Sequence, residues 1–215
     1  MERVRIQYAK TEPLRYTGNL DIHKAWERTL RRSRLPMAYS QGFHPQPRLN
    51  QACPLPLGVT SVAEVIDVWL DEDIPLDIVE PALTRAVPPG IEMIHLSLAN
   101  LQDPALPTQV IASEYLAVIL ETISTIELDR RIKVLLETNP ILRSRRGKNY
   151  DLRPLVEQLQ QTPEIDGHPS VLMRLSARES ATGRPEEVLE VLNLDPMSAR
   201  LQRISLFFKS PDSLE

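Results

Sequence analysis

From Arg3 to Ala9 apolar and polar residues alternate. Val4, Ile6 and Tyr8 share one face, and Arg3, Arg5 and Gln7 share the other, which predicts a strand with one buried side. A helical stripe follows. Ile22, Ala25, Trp26, Thr29 and Leu30 recur at the spacing of one helix face, with Lys24, Arg28, Arg31 and Arg32 opposite. Asn19 or Asp21 can cap this helix, and Pro36 ends it. Met37 to Gln41 and Arg48 to Cys53 read as short extended stretches around the loop Gly42-Phe43-His44-Pro45-Gln46-Pro47. Glu64 to Leu70 alternates again, Leu76 to Ala86 reads as a short helix before Pro88-Pro89-Gly90, and Ile91 to Leu98 as a strand. The order is β-α-β-β-α-β, that of a ferredoxin-like unit.

Asn100 to Thr108, with Pro104 and Pro107, reads as a linker, and the order then recurs. Strands are expected at Glu114 to Glu121, Ser170 to Arg178 and Arg200 to Lys209. Helices are expected at Leu128 to Thr138 and Pro185 to Leu194, the latter with Pro at its first turn and two acids near the positive end of its dipole. Leu142 to Tyr150 reads as extended, Leu152 to Gln161 as an inserted helix, and Pro211 to Glu215 as a frayed tail. No sequence repeat links the halves. The expected fold class is α+β: two ferredoxin-like (βαββαβ) halves in tandem with antiparallel sheets, at residues 1–100 and 109–210.

Composition narrows the chemistry. The chain of 215 residues is 42% hydrophobic and 25% charged, ordinary globular values that argue against disorder or a fibrous repeat. Its longest apolar run, Tyr115 to Leu120, is far below the roughly 20 residues of a membrane helix. The first residues alternate charge with apolar side chains and lack the apolar block of a signal peptide, so a soluble cytoplasmic protein is expected, with no membrane partner. One cysteine, Cys53, excludes an intrachain disulfide and a multi-thiolate zinc or iron–sulfur site. The four histidines, His23, His44, His95 and His168, are scattered, so neither a metal nor a cofactor is expected.

Charge is uneven. Residues 1–50 carry ten Lys/Arg against four acids, a net of +6, while the remainder carries fifteen against twenty-five, a net of −10. A second basic run, Arg143, Arg145, Arg146, Lys148 and Arg153, interrupts the acidic part. Two basic patches in an acidic chain point to a polyanion partner, or else to solvated faces paired with the chain's own acids.

Three regions carry candidate chemistry. In the first, Lys24, Arg28, Arg31 and Arg32 can contact phosphate, since planar guanidiniums donate paired hydrogen bonds. Asp21 is a weak catalytic candidate there, and otherwise a helix cap worth about 1 kcal/mol. In the second, a loop stiffened by Pro45 and Pro47 presents Phe43, His44 and Arg48, suited to stacking a base and holding its phosphate. The alternative is a structural turn with Phe43 in the core, and His44 as an acid–base catalyst lacks an identified partner. In the third, Arg143 to Lys148 can follow a nucleic-acid backbone as a basic hairpin, or lie in solvent. The outer face of the first sheet (Arg3, Arg5, Gln7, Trp69, His95) is either a binding platform or buried.

Several motifs resemble one family. These are Tyr8-Ala9-Lys10, Leu14-Arg15-Tyr16, Leu20-Asp21, Leu30-Arg31-Arg32, Tyr39-Ser40-Gln41-Gly42-Phe43-His44-Pro45-Gln46-Pro47 and Pro54-Leu55-Pro56-Leu57-Gly58-Val59. In the second half they are Arg145-Arg146-Gly147-Lys148, Asp151-Leu152-Arg153-Pro154 and Gly183-Arg184-Pro185-Glu186-Glu187. Together they resemble the DUF2344 family of radical SAM-linked proteins, over nearly the whole chain. Where that family usually has Ser-His-Leu-Asp, this chain has Gly18-Asn19-Leu20-Asp21, so the histidine is missing. The resemblance implies a companion encoded beside, or fused to, a radical SAM protein, with no established activity.

The functional expectation is an accessory module, coupled to a radical SAM enzyme, that binds tRNA-like RNA without catalysing a reaction. The alternatives are an RNA-modifying enzyme using Asp21 and His44, or a protein-only scaffold for the radical SAM partner. Cations from both halves are expected to converge around Phe43 and His44.

Overall fold

The computed structural model describes residues 1–145 and 147–209. The expectations for Arg146 and for the tail at 211–215 lie outside them. The chain divides into two compact units, Met1–Val110 and Ile111–Glu215. It is α+β, built mainly of antiparallel strand pairs.

The first unit runs β1 (Glu2–Lys10), α1 (Asn19–Ser33), β2 (Leu49–Gln51), β3 (Thr60–Leu70), α2 (Leu76–Thr84), β4 (Ile91–Ala99) and α3 (Leu106–Gln109). Its sheet has the order β4-β1-β3-β2, every pair antiparallel. The alternation in β1 reports its two faces. Val4, Ile6 and Tyr8 join Ile66, Val68 and Leu70 of β3 under the buried face of α1, where Trp26 meets Tyr8 edge to face at 4.9 Å. Val79 and Leu83 of α2 complete this core.

The opposite face of the sheet is only partly open: Gln7 and His95 are exposed, whereas Arg3, Trp69 and Asp67 are buried. Arg3 is paired across the strands with Trp69, and Arg5 with Asp67. Arg3 and Asp67 are fully buried and bonded at 2.6 Å, and Arg5 reaches the same carboxylate at 2.8 Å. Arg3 also donates to the carbonyls of Asn100, Asp103 and Pro104, which ties the segment after β4 to the sheet. A buried carboxylate held by two guanidiniums is costly to expose singly, so these residues are structural.

The second unit runs β5 (Val110–Ile119), α4 (Thr125–Glu137), β6 (Leu142–Arg145), β7 (Lys148–Asp151), β8 (Val156–Ile165), β9 (His168–Arg178), β10 (Ala181–Thr182), α5 (Pro185–Val191) and β11 (Ala199–Phe208). Within it, β5 lies between β9 and β11, and β8 pairs with β9. The pair β6–β7 forms a separate two-stranded hairpin.

Two expectations are corrected. Leu152 to Gln161 is not a helix: a single turn at Arg153–Leu155 leads directly into β8. The helical spacing has two sources: Leu152 is buried at the turn before the strand, and a bulge between Val156 and Gln158 shifts the strand's phase, so that Val156 and Leu159 both face inward. Neither Asn19 nor Asp21 caps α1. Gly18 occupies the cap position in an extended conformation without a side-chain bond, and the helix closes at Arg34, two residues before Pro36, with a positive φ of 60°.

Candidate nucleic-acid interface

The site grows from the outer face of α1. The stripe that buries Ile22, Trp26 and Leu30 leaves Lys24, Arg28, Arg31 and Arg32 exposed on the other side. Among the described residues no acid pairs with any of the four. The acid on that helix nearest to pairing, Glu27, lies 3.6 Å from His23 instead.

Beyond α1 the chain makes a short hairpin whose tip is the proline-rich loop. Tyr39 bridges to Pro47, the Ser40 amide donates to the Gln46 carbonyl at 2.9 Å, and the Gln46 amide donates to Ser40 Oγ at 3.1 Å. Pro45 and Pro47 fix their own φ, and Gly42 takes a φ of 130° that a side chain would strain. The consequence is that Phe43 is fully exposed and His44 stands beside it in solvent. Phe43 therefore does not pack into the core.

Arg31 joins the two elements: its guanidinium donates to the side-chain oxygen of Gln46. At the base of the hairpin, Arg48 remains exposed while its guanidinium lies 4.7 Å over the Trp69 ring. Stacking holds this cation in place without neutralising it. Tyr39, exposed at the hairpin stem, belongs to the same surface. In the sequence Tyr39 stands out only as part of the family motif, because an extended stretch does not reveal which of its residues reach solvent.

Asp21 is exposed in the first turn of α1, and no hydrogen bond among the described residues joins it to His44. The two weak catalytic candidates do not form an acid–base pair.

The basic hairpin of the second unit is differently engaged. Arg143 pairs with Glu190, and Arg145 with Glu187 at 2.6 Å, both acids belonging to α5. Tyr150 shares the Glu187 carboxylate. Burial opposes ionisation of Arg145, yet the bond and charge of Glu187 hold its pKa above the ordinary value. Burial first, then Glu187, pushes the Tyr150 phenol up. These arginines staple the hairpin to α5 and spend their charge doing so, while Lys148 stays exposed.

A family model described as "Uncharacterized protein conserved in bacteria (DUF2344)" matches residues 3–185. The chain belongs to the DUF2344 family. Comparison of this DUF2344 chain with curated proteins finds no match. Among solved structures it is similar to a Cbf5-Nop10-Gar1 complex, with a TM-score of 0.51 and 11% identity over 97% of this chain and 50% of that one. It is also similar to an H/ACA RNP bound to a substrate RNA containing 2'-deoxyuridine, with a TM-score of 0.48 and 9% identity over 99% of this chain and 50% of that one. The DUF2344 chain thus spans about half the length of each. At 11% identity the first likeness is one of fold. Among the described residues no helix is long and apolar enough to cross a membrane.

Proposed function

We propose that this DUF2344 protein is an accessory, non-catalytic module that binds single-stranded or loop regions of a tRNA-like RNA through its first unit. The observation that carries the reading is the coupling of Arg31 to Gln46, which sets four unpaired cations of α1 beside a stiff loop with Phe43 uncovered. Cations attract phosphate through counterion release, and an exposed ring stacks an unpaired base whatever its identity. Lys24, Arg28, Arg31, Arg32 and Arg48 contact phosphate in this reading, and Phe43 and His44 contact the base. Filter binding of tRNA at low salt tests it. Affinity tighter than about 100 μM supports it, and weaker binding overturns it, because even non-specific phosphate contacts reach that range.

The family resemblance supports a radical SAM protein as the partner, with the RNA presented to it. Copurification with such a protein encoded beside this chain, with and without nuclease, tests the coupling. Loss of the partner on nuclease treatment supports an RNA bridge, and retention favours a protein-only scaffold. We also read the strand order of the first unit, fourth-first-third-second, as ferredoxin-like, and β11-β5-β9-β8 as its counterpart in the second.

A further inference from the structure

The C-terminal ends of α1 and α2 border a half-open cleft of about 570 Å³, a size that accommodates a nucleotide. Arg32, Ser33 and Arg34 line it from the end of α1, and Ala82, Arg85, Ala86, Val87, Pro88 and Pro89 from the end of α2 and the turn after it. Helix ends explain only part of this. Each C-terminus supplies about half a negative charge, so two offset about one of three cations. No lining residue is acidic, and among the described residues none of the three arginines is in an ion pair. Arg34 holds its place through a left-handed backbone, φ 60°, at the close of α1. Among the described residues the Arg34 side chain makes no hydrogen bond and no ion pair.

Three guanidiniums in a cleft also lined by alanine, valine and proline fit a ligand with a doubly charged head and a flat ring that can lie on apolar side chains. We propose that this cleft binds the phosphomonoester of a nucleotide, with Arg32, Arg34 and Arg85 holding the phosphate and Ala82, Ala86, Val87, Pro88 and Pro89 covering the sugar and base. Two sources share this chemistry, a free mononucleotide and the phosphorylated end of an RNA. Only the second draws on the RNA reading above. The cavity differs from the stacking loop in its residues, Arg32 excepted, so the two are separable.

Four probes decide it by calorimetric titration at fixed salt: adenosine 5′-monophosphate, adenosine, and one short single-stranded RNA with a 5′-phosphate or a 5′-hydroxyl. A preference of at least about tenfold for a phosphorylated probe over its unphosphorylated counterpart is expected, since charge-assisted bidentate bonds are the strong ones. A preference between the mononucleotide and adenosine assigns the free nucleotide, and one confined to the RNAs assigns the chain end. The double variant Arg34→Gln, Arg85→Gln should abolish the preference while lowering the melting temperature by no more than a few degrees, both side chains being exposed cations at helix C-termini. Equal binding of phosphorylated and unphosphorylated probes, or a preference that survives in the double variant, overturns the proposal. RNA binding that is salt-dependent but blind to the terminal phosphate would sink the cavity's role and leave the loop's standing.

Discussion

Arg31 on α1 and Gln46 in the proline-rich loop are joined side chain to side chain, so the cationic helix face and the aromatic tip behave as one surface. Gln46→Ala removes the acceptor and nothing else of structural weight, because both partners are exposed. The expected result is an unchanged fold and RNA binding weakened a few-fold, about 1 kcal/mol or less, the usual range for one solvent-exposed hydrogen bond. Parallel melting and binding curves check it.

Phe43→Ala separates stacking from folding. The ring is fully exposed, so the melting temperature should move by no more than a degree or two, within the ±0.5 kcal/mol typical of surface changes. Affinity for single-stranded RNA should fall by about 1–3 kcal/mol, the value of one stacked base. Loss of stability without loss of affinity would return Phe43 to a structural role.

The arginines of β6 should behave in the opposite way. Arg143→Ala and Arg145→Ala break contacts with Glu190 and Glu187 and should lower the melting temperature while leaving the salt dependence of RNA binding unchanged. A binding isotherm at three salt concentrations distinguishes them from true phosphate contacts, each of which would lower the slope by nearly 1.

Asp67→Asn strikes the buried cluster. Arg3 would keep its charge in a buried site without a carboxylate, which costs about 3–5 kcal/mol, and chemical denaturation measures the loss directly. Asp103 and its neighbours, released with Arg3, should become easier to proteolyse.

How much of this the sequence disclosed follows from what pattern encodes. β1 and α1 were legible because each has one buried face, and a period of two or of 3.6 survives in the residue order. β8 was not, since its bulge converts a strand into a helix-like spacing. In the site, the charge of α1 was visible as composition, whereas the bond from Arg31 to Gln46 spans fifteen residues and has no local signature. The arginines of β6 looked equivalent to those of α1. Their difference is α5, whose acids lie more than forty residues away in sequence. Arg34 and Arg85 carry no sequence signal for the same reason: the cleft is made by packing two helix ends, and neither end announces the other.

One prediction concerns pH alone. The bonds from Arg130 and Arg131 lower the Glu127 carboxyl to about 2. A carboxylate depressed on folding stabilises above its unfolded value, about 4.3, and the contribution disappears as pH falls through the folded value. Glu127→Gln should therefore melt earlier than the parent at pH 7 and together with it near pH 2. The gap at pH 7 should shrink in high salt, since this pair is exposed.

The account rests on RNA meeting the cations of α1, and the salt dependence of tRNA affinity tests that most directly. If four of Lys24, Arg28, Arg31, Arg32 and Arg48 each displace a counterion, the plot of log affinity against log salt should have a slope of about −3, falling by roughly 0.7–0.9 for each one replaced by glutamine. A flat plot, or a slope unmoved by replacing Arg28 and Arg32, would contradict it.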